Sequence, residues 1–230
     1  MKRYLITGAS RGIGRAIAEK LASAGDCLLL HGRDREALAR TCELVGAKSA
    51  KAVPLCYDLR DPAEIQKMVD EIGTTPLDGL INNAGIASVK PLQEITLEEW
   101  EATFAVNVTA PFLFTQKLLP IMSAGSTIVN ILSVAARTGF PNWSSYCMSK
   151  FALEGFSQAV REELRPRRIR VLNVYPAATS TEIWKGVAGE WPREQMLSPD
   201  EIGAAVAYAV SRPADVAVEN ITLQNVSGRL

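Results

Sequence analysis

The fold of this chain is decided by the stretch Thr7-Gly8-Ala9-Ser10-Arg11-Gly12-Ile13-Gly14, which joins the first predicted strand to the first predicted helix. A turn that receives phosphates needs glycines, because its backbone must bend sharply and approach the ligand without a Cβ in the way. We expect Gly8 to make the turn, Gly12 to allow close approach and Gly14 to let the helix pack on the strand. Three glycines can also mark an ordinary tight turn, but their place between strand and helix favours a dinucleotide site.

Outward from this turn, short apolar runs alternate with segments of helical period along the whole chain. Strands are predicted at Arg3–Thr7, Cys27–His31, Ala52–Cys56, Gly79–Asn82, Thr127–Leu132, Arg170–Tyr175 and Asn220–Gln224. Helices are predicted at Gly12–Ala24, Asp34–Val45, Pro62–Ile72, Leu97–Ile121, Ser145–Arg165 and Pro199–Val210. This alternation predicts an α/β fold, a Rossmann-type doubly wound parallel sheet of about seven strands with helices on both faces. No linker or repeat interrupts residues 1–230, so we expect one domain.

The composition excludes several classes of function. The chain has 25 Lys and Arg against 25 Asp and Glu, and this zero net charge argues against a nucleic-acid or anionic-lipid partner. No apolar run approaches the roughly 18–20 residues of a membrane span, so we expect a cytoplasmic protein. The four cysteines form no C-x-x-C pair, and only one histidine is present. We therefore expect free thiols and no metal site.

The end of the second strand bears on the choice of cofactor. An NAD site usually carries an acidic residue there for the ribose hydroxyls, but this sequence has Arg33 near that position. Arg33 and Arg11 of the glycine turn could together hold a 2′-phosphate through charge-assisted contacts. Asp34 is better explained as the N-cap of the next helix. The pair of arginines predicts NADPH rather than NADH.

A second cluster lies past the middle of the chain. Tyr146 and Lys150 are four residues apart on one face of a predicted helix, and Ser133 follows the fifth strand. A nearby ammonium should lower the pKa of the phenol and let Tyr146 exchange a proton near neutral pH without a histidine. The pair alone could be a lysine lying along an aromatic ring, but the glycine turn and Ser133 favour catalysis. A Ser-His-Asp hydrolase is excluded because His31 comes too early and no G-x-S-x-G is present.

These motifs together resemble the short-chain dehydrogenase/reductase family over essentially the whole chain. The glycine turn, including Ser10 and Ile13, is similar to the family's cofactor turn, and Ser133, Tyr146 and Lys150 match its serine, tyrosine and lysine. The resemblance implies that the serine orients the substrate oxygen, the tyrosine is the acid/base, and tyrosine and lysine also contact the cofactor. Asn107 matches a helix asparagine that holds a water linked to the lysine.

The resemblance extends the predicted cofactor site to three further segments. Asp58-Leu59 matches an acidic pair that meets the adenine amine, and Asn83-Ala84-Gly85 matches a motif lining the nucleotide site. After the sixth strand, Pro176, Thr179 and Thr181 are expected to contact the nicotinamide end. Ala177 stands where the family commonly has glycine, which leaves the local backbone open to question.

The resulting hypothesis is NADPH-dependent reduction of a ketone or aldehyde, a small-molecule carbonyl/alcohol substrate. The alternatives are a biosynthetic reductase committed to one substrate, such as a 3-oxoacyl thioester, a pterin or a 3-hydroxy acid, and a non-catalytic NADP-binding sensor or scaffold. Lys185 and Arg193 are the only candidate anion clamps in the loop between Pro176 and Ser198, where the substrate is expected to bind. Four aromatic residues either form a substrate wall or serve ordinary packing: Phe140, Trp143, Trp184 and Trp191. The resemblance also implies a homodimer or homotetramer through the helices near Leu97–Ile121 and Ser145–Arg165.

Overall fold

A computed structural model describes residues 1–187, 192–226 and 228, and its centre is a seven-stranded sheet. The strands are β1 (Arg3–Ile6), β2 (Cys27–His31), β3 (Lys51–Leu55), β4 (Gly79–Asn82), β5 (Thr127–Ile131), β6 (Arg170–Pro176) and β7 (Asn220–Leu223). Their order is β3-β2-β1-β4-β5-β6-β7, and every neighbouring pair is parallel. The predicted Rossmann-type fold is confirmed, with strand ends within one residue of those expected.

Within the residues that the structure describes, seven α-helices connect the strands. They are α1 (Gly12–Leu21), α2 (Arg35–Gly46), α3 (Pro62–Ile72), α4 (Leu97–Phe104), α5 (Ala110–Leu118), α6 (Ser144–Leu164) and α7 (Pro199–Val210). The single helix predicted at Leu97–Ile121 is therefore divided, because a π-helical turn at Ala105–Thr109 separates α4 from α5. A π turn places one extra residue in the helical circuit and shifts the side chains that follow to another face.

The helices begin where the sequence supplies caps. Asp34 accepts a hydrogen bond from the Ala37 N–H at 3.0 Å, which confirms it as the N-cap of α2. The Thr96 and Glu99 side chains form the expected capping box at the start of α4. Each cap satisfies N–H groups that have no partner within the helix.

Two apolar layers cover the sheet, one on each face. The first packs side chains of α1, α2 and α7 against the sheet, and the second packs those of α3, α5 and α6. Alternate residues of β1 enter opposite layers, Ile6 the first and Leu5 the second, and both side chains are fully buried. The edge strands β3 and β7 are partly exposed, as expected for strands with one neighbour.

This arrangement directs all carboxyl ends of the parallel strands toward one side of the sheet. The order reverses between β1 and β4, and open α/β sheets bind ligands at such a reversal. Within the described residues, no helix is long and apolar enough to cross a membrane, and no group of three or more His, Cys, Asp or Glu could hold a metal ion. All four cysteines are free thiols.

Candidate active site

A cavity of about 700 Å³ opens at the carboxyl ends of β1, β2 and β4. The glycine turn, the end of β2 and the loops that follow β3 and β4 form its wall. It is lined by every nucleotide-site residue predicted in the first half of the chain: Gly8, Ser10, Arg11, Gly12, Ile13, Gly14, Arg33, Asp58, Leu59, Asn83, Ala84 and Gly85. The volume lies within the usual range for cofactor sites.

The glycine turn has the geometry that its sequence predicts. Gly8 and Gly12 have φ values of +68° and +55°, which side-chain-bearing residues rarely adopt. A Cβ on Gly14 would lie 2.2 Å from the Gly8 carbonyl oxygen, so only glycine lets α1 begin so close to β1. The turn is also tied to the loop after β4, because Asn83 Nδ2 donates to the Thr7 and Gly8 carbonyl oxygens at 2.8 and 3.2 Å.

His31 holds this turn from below, a role that sequence reasoning missed. Its side chain is 3% exposed, and its Nδ1 accepts a hydrogen bond from the Gly8 N–H at 3.3 Å while its Nε2 donates to the Tyr57 carbonyl oxygen at 3.0 Å. Burial lowers the pKa of His31 to about 4, partly offset by the bond to Tyr57, so the ring is neutral. The only signal in the sequence is its position at the end of β2, directly before Gly32 and Arg33.

Charged side chains mark the rim of the cavity. Arg11 and Arg33 are both exposed and both line it, as the prediction of a 2′-phosphate site requires. Asp58 also lines the cavity, but its carboxylate is engaged by Arg60, whose Nε lies 2.9 Å from Oδ2. This contact lowers the pKa of Asp58 to about 2. The adenine contact implied for Asp58 stays a prediction, and it would share a carboxylate that already has a partner.

A second cavity of about 360 Å³ adjoins the first, and both are lined by Asn83, Gly85 and Thr181. Its wall brings together residues from β5, α6 and the segment after β6. Among them are the remaining predicted site residues, apart from Asn107: Ser133, Tyr146, Lys150, Pro176, Thr179 and Thr181. Ala177 has no positive φ, and its N–H donates to the Leu223 carbonyl oxygen at 2.9 Å, so the missing glycine leaves the backbone regular.

Tyr146 and Lys150 occupy successive turns of α6, as their spacing predicts. Lys150 is 4% exposed; its Nζ lies 5.6 Å from the centre of the Tyr146 ring and donates to the Ile131 carbonyl oxygen at 2.8 Å. Burial lowers the pKa of this ammonium to about 8. Ser133, two residues beyond β5, accepts a hydrogen bond from the Ala135 N–H at 3.1 Å.

The predicted fall in the pKa of Tyr146 is wrong for this structure. Burial raises that pKa to about 12, although a hydrogen bond with Ser133 offsets part of the rise. The reason is geometric, because the Lys150 ammonium points to the Ile131 carbonyl and is desolvated itself. Spacing on a helix predicts that two groups are neighbours, but it does not predict how deeply they are buried.

Asn107 lies in the π turn between α4 and α5 and is 1% exposed. Its Oδ1 accepts from the Ile86 N–H, and its Nδ2 donates to the Ile86 carbonyl oxygen and to Ser149 Oγ, each at 2.9 Å. A Cβ on Gly85 would lie 3.5 Å from Asn107 Oδ1 and 3.7 Å from Lys150 Nζ, so these three residues are neighbours. The water implied for Asn107 stays a prediction.

Three of the four aromatic residues in question line the second cavity: Phe140, Trp143 and Trp184. Trp191 lies outside the described residues. Neither candidate anion clamp lines the second cavity. Lys185 pairs with Glu182, and Arg193 donates to the Thr181 carbonyl oxygen at 3.0 Å.

The fold and the paired cavities define a Rossmann-type protein with a dinucleotide site beside a Ser-Tyr-Lys cluster. A sequence model of the family described as short chain dehydrogenase matches residues 2–190. The chain belongs to the short-chain dehydrogenase family, a family of oxidoreductases, and the resemblance drawn from its motifs is confirmed.

Two relatives and one solved structure illustrate the likeness. The chain is 34% identical over 238 residues to a sepiapterin reductase of Chlorobaculum tepidum, covering 97% of this chain and 96% of that protein. It is 36% identical over 226 residues to a 3-oxoacyl-acyl-carrier-protein reductase of Aquifex aeolicus, covering 93% and 91%. A short-chain dehydrogenase of Burkholderia cenocepacia, solved in complex with NADP, matches with a TM-score of 0.88 at 31% identity, covering 97% and 96%.

Proposed function

We propose that this chain is an NADPH-dependent carbonyl reductase that acts on ketones or aldehydes. The observation that carries the proposal is the convergence of Ser133, Tyr146 and Lys150 on one cavity that adjoins the nucleotide cavity. A substrate carbonyl in the smaller cavity would lie next to the reactive end of a cofactor in the larger one. The solved relative that holds NADP supports the same choice of nucleotide.

The residues of the larger cavity fit NADP. Its glycine turn offers backbone N–H groups at the start of α1, where the helix dipole favours phosphate. Gly12 leaves the turn open, since a Cβ there would lie only 3.2 Å from Thr181 Cγ2. Arg11 and Arg33 supply the positive charge that distinguishes a 2′-phosphate from a hydroxyl. NADPH, when bound, supplies the hydride that reduces the carbonyl carbon.

Tyr146 is the proton donor in this proposal. With a pKa near 12 its phenol is protonated at neutral pH, which suits donation to a carbonyl oxygen that gains negative charge during reduction. Ser133, which hydrogen bonds with Tyr146, would orient the same oxygen. Lys150 would hold the nicotinamide ribose and place a positive charge beside the tyrosinate that is left after the transfer.

Two sets of side chains would support this centre. Asn107 fixes the Ile86 backbone beside Gly85, and its implied water would return a proton through Lys150. Thr179 and Thr181, after β6, line the cavity where the nicotinamide would meet the substrate. A reductase committed to one substrate is the second candidate, because two relatives are named as a sepiapterin reductase and a 3-oxoacyl-acyl-carrier-protein reductase.

The substitution Tyr146→Phe tests the proposal. It removes the donor oxygen and keeps the ring, so kcat for NADPH-dependent ketone reduction should fall by about 10²-fold or more. Affinity for NADPH, measured by fluorescence titration, should change by less than about threefold. Tyr208→Phe is the matched control, because Tyr208 is an exposed residue of α7 that lines neither cavity. Retained turnover in Tyr146→Phe would contradict the assignment.

A further inference from the structure

The wall of the smaller cavity carries little formal charge. Among the described residues that line it, Lys150 alone carries a formal charge. That ammonium is already engaged with the Ile131 carbonyl oxygen and lies at the proposed catalytic end. The other lining side chains are uncharged, and many are apolar or aromatic, including Val134, Phe140 and Pro141. A carboxylate or phosphate on a substrate would lose its water here without gaining a cation.

Three aromatic rings form a continuous row along this wall. The Trp143 ring meets the Tyr146 ring edge to face, with centroids 5.4 Å apart and planes at 67°. On its other side Trp143 meets Trp184 in the same way, at 5.7 Å and 65°. Ordinary packing could place two apolar side chains near Tyr146. Both indoles, however, also line the open cavity. We call Tyr146, Trp143 and Trp184 the aromatic row.

The far ring of the row is fixed in place. Trp184 Nε1 donates to the Thr179 carbonyl oxygen at 2.8 Å, and Thr179 follows β6 and is 5% exposed. This bond anchors the indole to the end of the sheet. Preorganised aromatic surface of this kind favours a rigid, planar ligand, because the wall loses little freedom when the ligand binds.

Resting on the proposed function, we infer that the substrate is a neutral aryl ketone whose ring contacts the aromatic row. Its carbonyl oxygen meets Ser133 and Tyr146, and its aryl group extends toward Trp143 and Trp184. A volume of about 360 Å³ is large enough for a small ring system and belongs to the lower part of the range for ligand cavities. Among the described residues of the lining, only Lys150 could pair with an anionic carrier group beside the carbonyl, which disfavours substrates that carry one.

Two pairs of ketones test the inference on the whole enzyme with NADPH. Methyl 4-acetylbenzoate and 4-acetylbenzoate differ by one negative charge, and the neutral ester should have a kcat/KM at least about tenfold higher. Acetophenone and cyclohexyl methyl ketone have the same carbon skeleton and differ in aromaticity. Their intrinsic reactivities differ, so their kcat/KM ratio is followed across variants rather than read in the wild type alone.

Trp184→Leu removes the far ring of the row. It should lower the ratio of acetophenone to cyclohexyl methyl ketone by about fivefold, as expected for the loss of one aromatic pair. Trp100→Leu is the matched control, because Trp100 stacks on Phe104 in α4, lines neither cavity and should leave the ratio unchanged. Phe140→Leu is a second, milder variant in the same wall, for use if the loop does not tolerate the loss of Trp184. It should also lower the ratio of acetophenone to cyclohexyl methyl ketone.

The outcomes separate this inference from the proposed function. Reduction of no ketone in the panel by the wild type overturns both. Reduction with a preference for the anionic ketone overturns the aryl-ketone inference alone, and so does an unchanged ratio in both Trp184→Leu and Phe140→Leu. A preference for the neutral ester together with a selective fall in the aryl ratio supports it.

Discussion

At the scale of single residues, we expect the charge at the cavity rim to decide between the two nicotinamide cofactors. Arg33 and Arg11 are exposed side chains after β2 and on the glycine turn, and the residue that follows Gly32 is Arg33 rather than an acidic residue. An acidic residue there would repel a 2′-phosphate, whereas a guanidinium binds it through two charge-assisted hydrogen bonds. The local charge therefore matters although the whole chain is neutral.

Arg33→Ala should weaken NADPH binding by about tenfold or more, the usual effect of removing hydrogen bonds from a charged group. The dissociation constant of NADH, which lacks the 2′-phosphate, should change by less than about threefold. Both constants can be measured by fluorescence titration. Arg35→Ala is the control, since Arg35 is an exposed arginine two residues further on that does not line the cavity. Equal losses for both nucleotides would argue against a 2′-phosphate contact.

At the scale of elements, two helices on one face of the sheet depend on a single glycine. A Cβ on Gly203 of α7 would lie 2.8 Å from the Ala16 carbonyl oxygen and 3.2 Å from the Ile17 nitrogen, both backbone atoms of α1. Backbone atoms cannot rotate away as the end of a side chain can. The spacing between α1 and α7 is therefore set by the absence of that one carbon.

Gly203→Ala should lower the free energy of unfolding by about 1–3 kcal/mol, because α7 must shift away from α1. Gly46→Ala is the matched control, as a Cβ on this last residue of α2 would meet nothing within 4 Å. Alanine is the better helix former, so that change should be neutral or raise stability by up to about 1 kcal/mol. Urea unfolding of both variants distinguishes them, and equal effects would contradict the packing argument.

The π turn shows which part of the site the sequence could not predict. The apolar pattern of Leu97–Ile121 indicates one long helix, and the extent of that helix is nearly right. The additional residue at Ala105–Thr109 changes which face Asn107 occupies. Pro111, in the first turn of α5, is the nearby helix-breaking residue, and the single helix predicted from periodicity ran through it. The bonds from Asn107 to Ile86 hold the turn, and these join residues 21 positions apart. Periodicity in a short window carries no information about such contacts.

At the same scale, the residues singled out from the sequence lie together because the parallel sheet brings strand ends to one side. Gly8, Arg33 and Asn83 follow three different strands and all line one cavity. The sequence did not predict the burial that raises the pKa of Tyr146, or the acceptor that Ile131 offers to Lys150. Both depend on depth in the folded chain, which residue type and spacing do not encode.

At the scale of the whole molecule, the predicted homodimer or homotetramer can be tested through α5 and α6. These helices carry exposed large apolar side chains, Phe112 at 43%, Met148 at 50% and Phe151 at 48% exposure. Phe112 also meets Phe156 of α6 edge to face at 6.0 Å, so the two helices form one surface. Exposed apolar side chains gathered on one surface are typical of an interface.

Light scattering should find the wild type as a dimer or tetramer and Phe151→Glu as a particle of at most half that mass. A buried, unpaired carboxylate at the interface would account for the change. Leu44→Glu, at a residue 43% exposed on α2, should leave the mass unchanged. A monomeric wild type, or an unchanged mass in Phe151→Glu, would contradict this interface.

His31 has a consequence for how the whole protein responds to acid. Its pKa is about 4 in the folded chain against an ordinary 6.5. Between these two pH values the unfolded chain therefore binds a proton at His31 and the folded chain does not. The resulting penalty is absent above about pH 6.5, grows as the pH falls and reaches about 3 kcal/mol near pH 4. His31→Gln, which does not titrate, should lose less free energy of unfolding between pH 7 and 4.5 than the wild type; an equal loss would count against this role.

The same proton would also occupy Nδ1, the atom that accepts from the Gly8 N–H. Acidification should therefore release the glycine turn in the same step that weakens the fold. Saturating nucleotide, by holding the turn in place, should in return oppose protonation and extend the range of tolerated acidity. We therefore expect the acid tolerance of this protein to depend, through its single histidine, on the supply of cofactor.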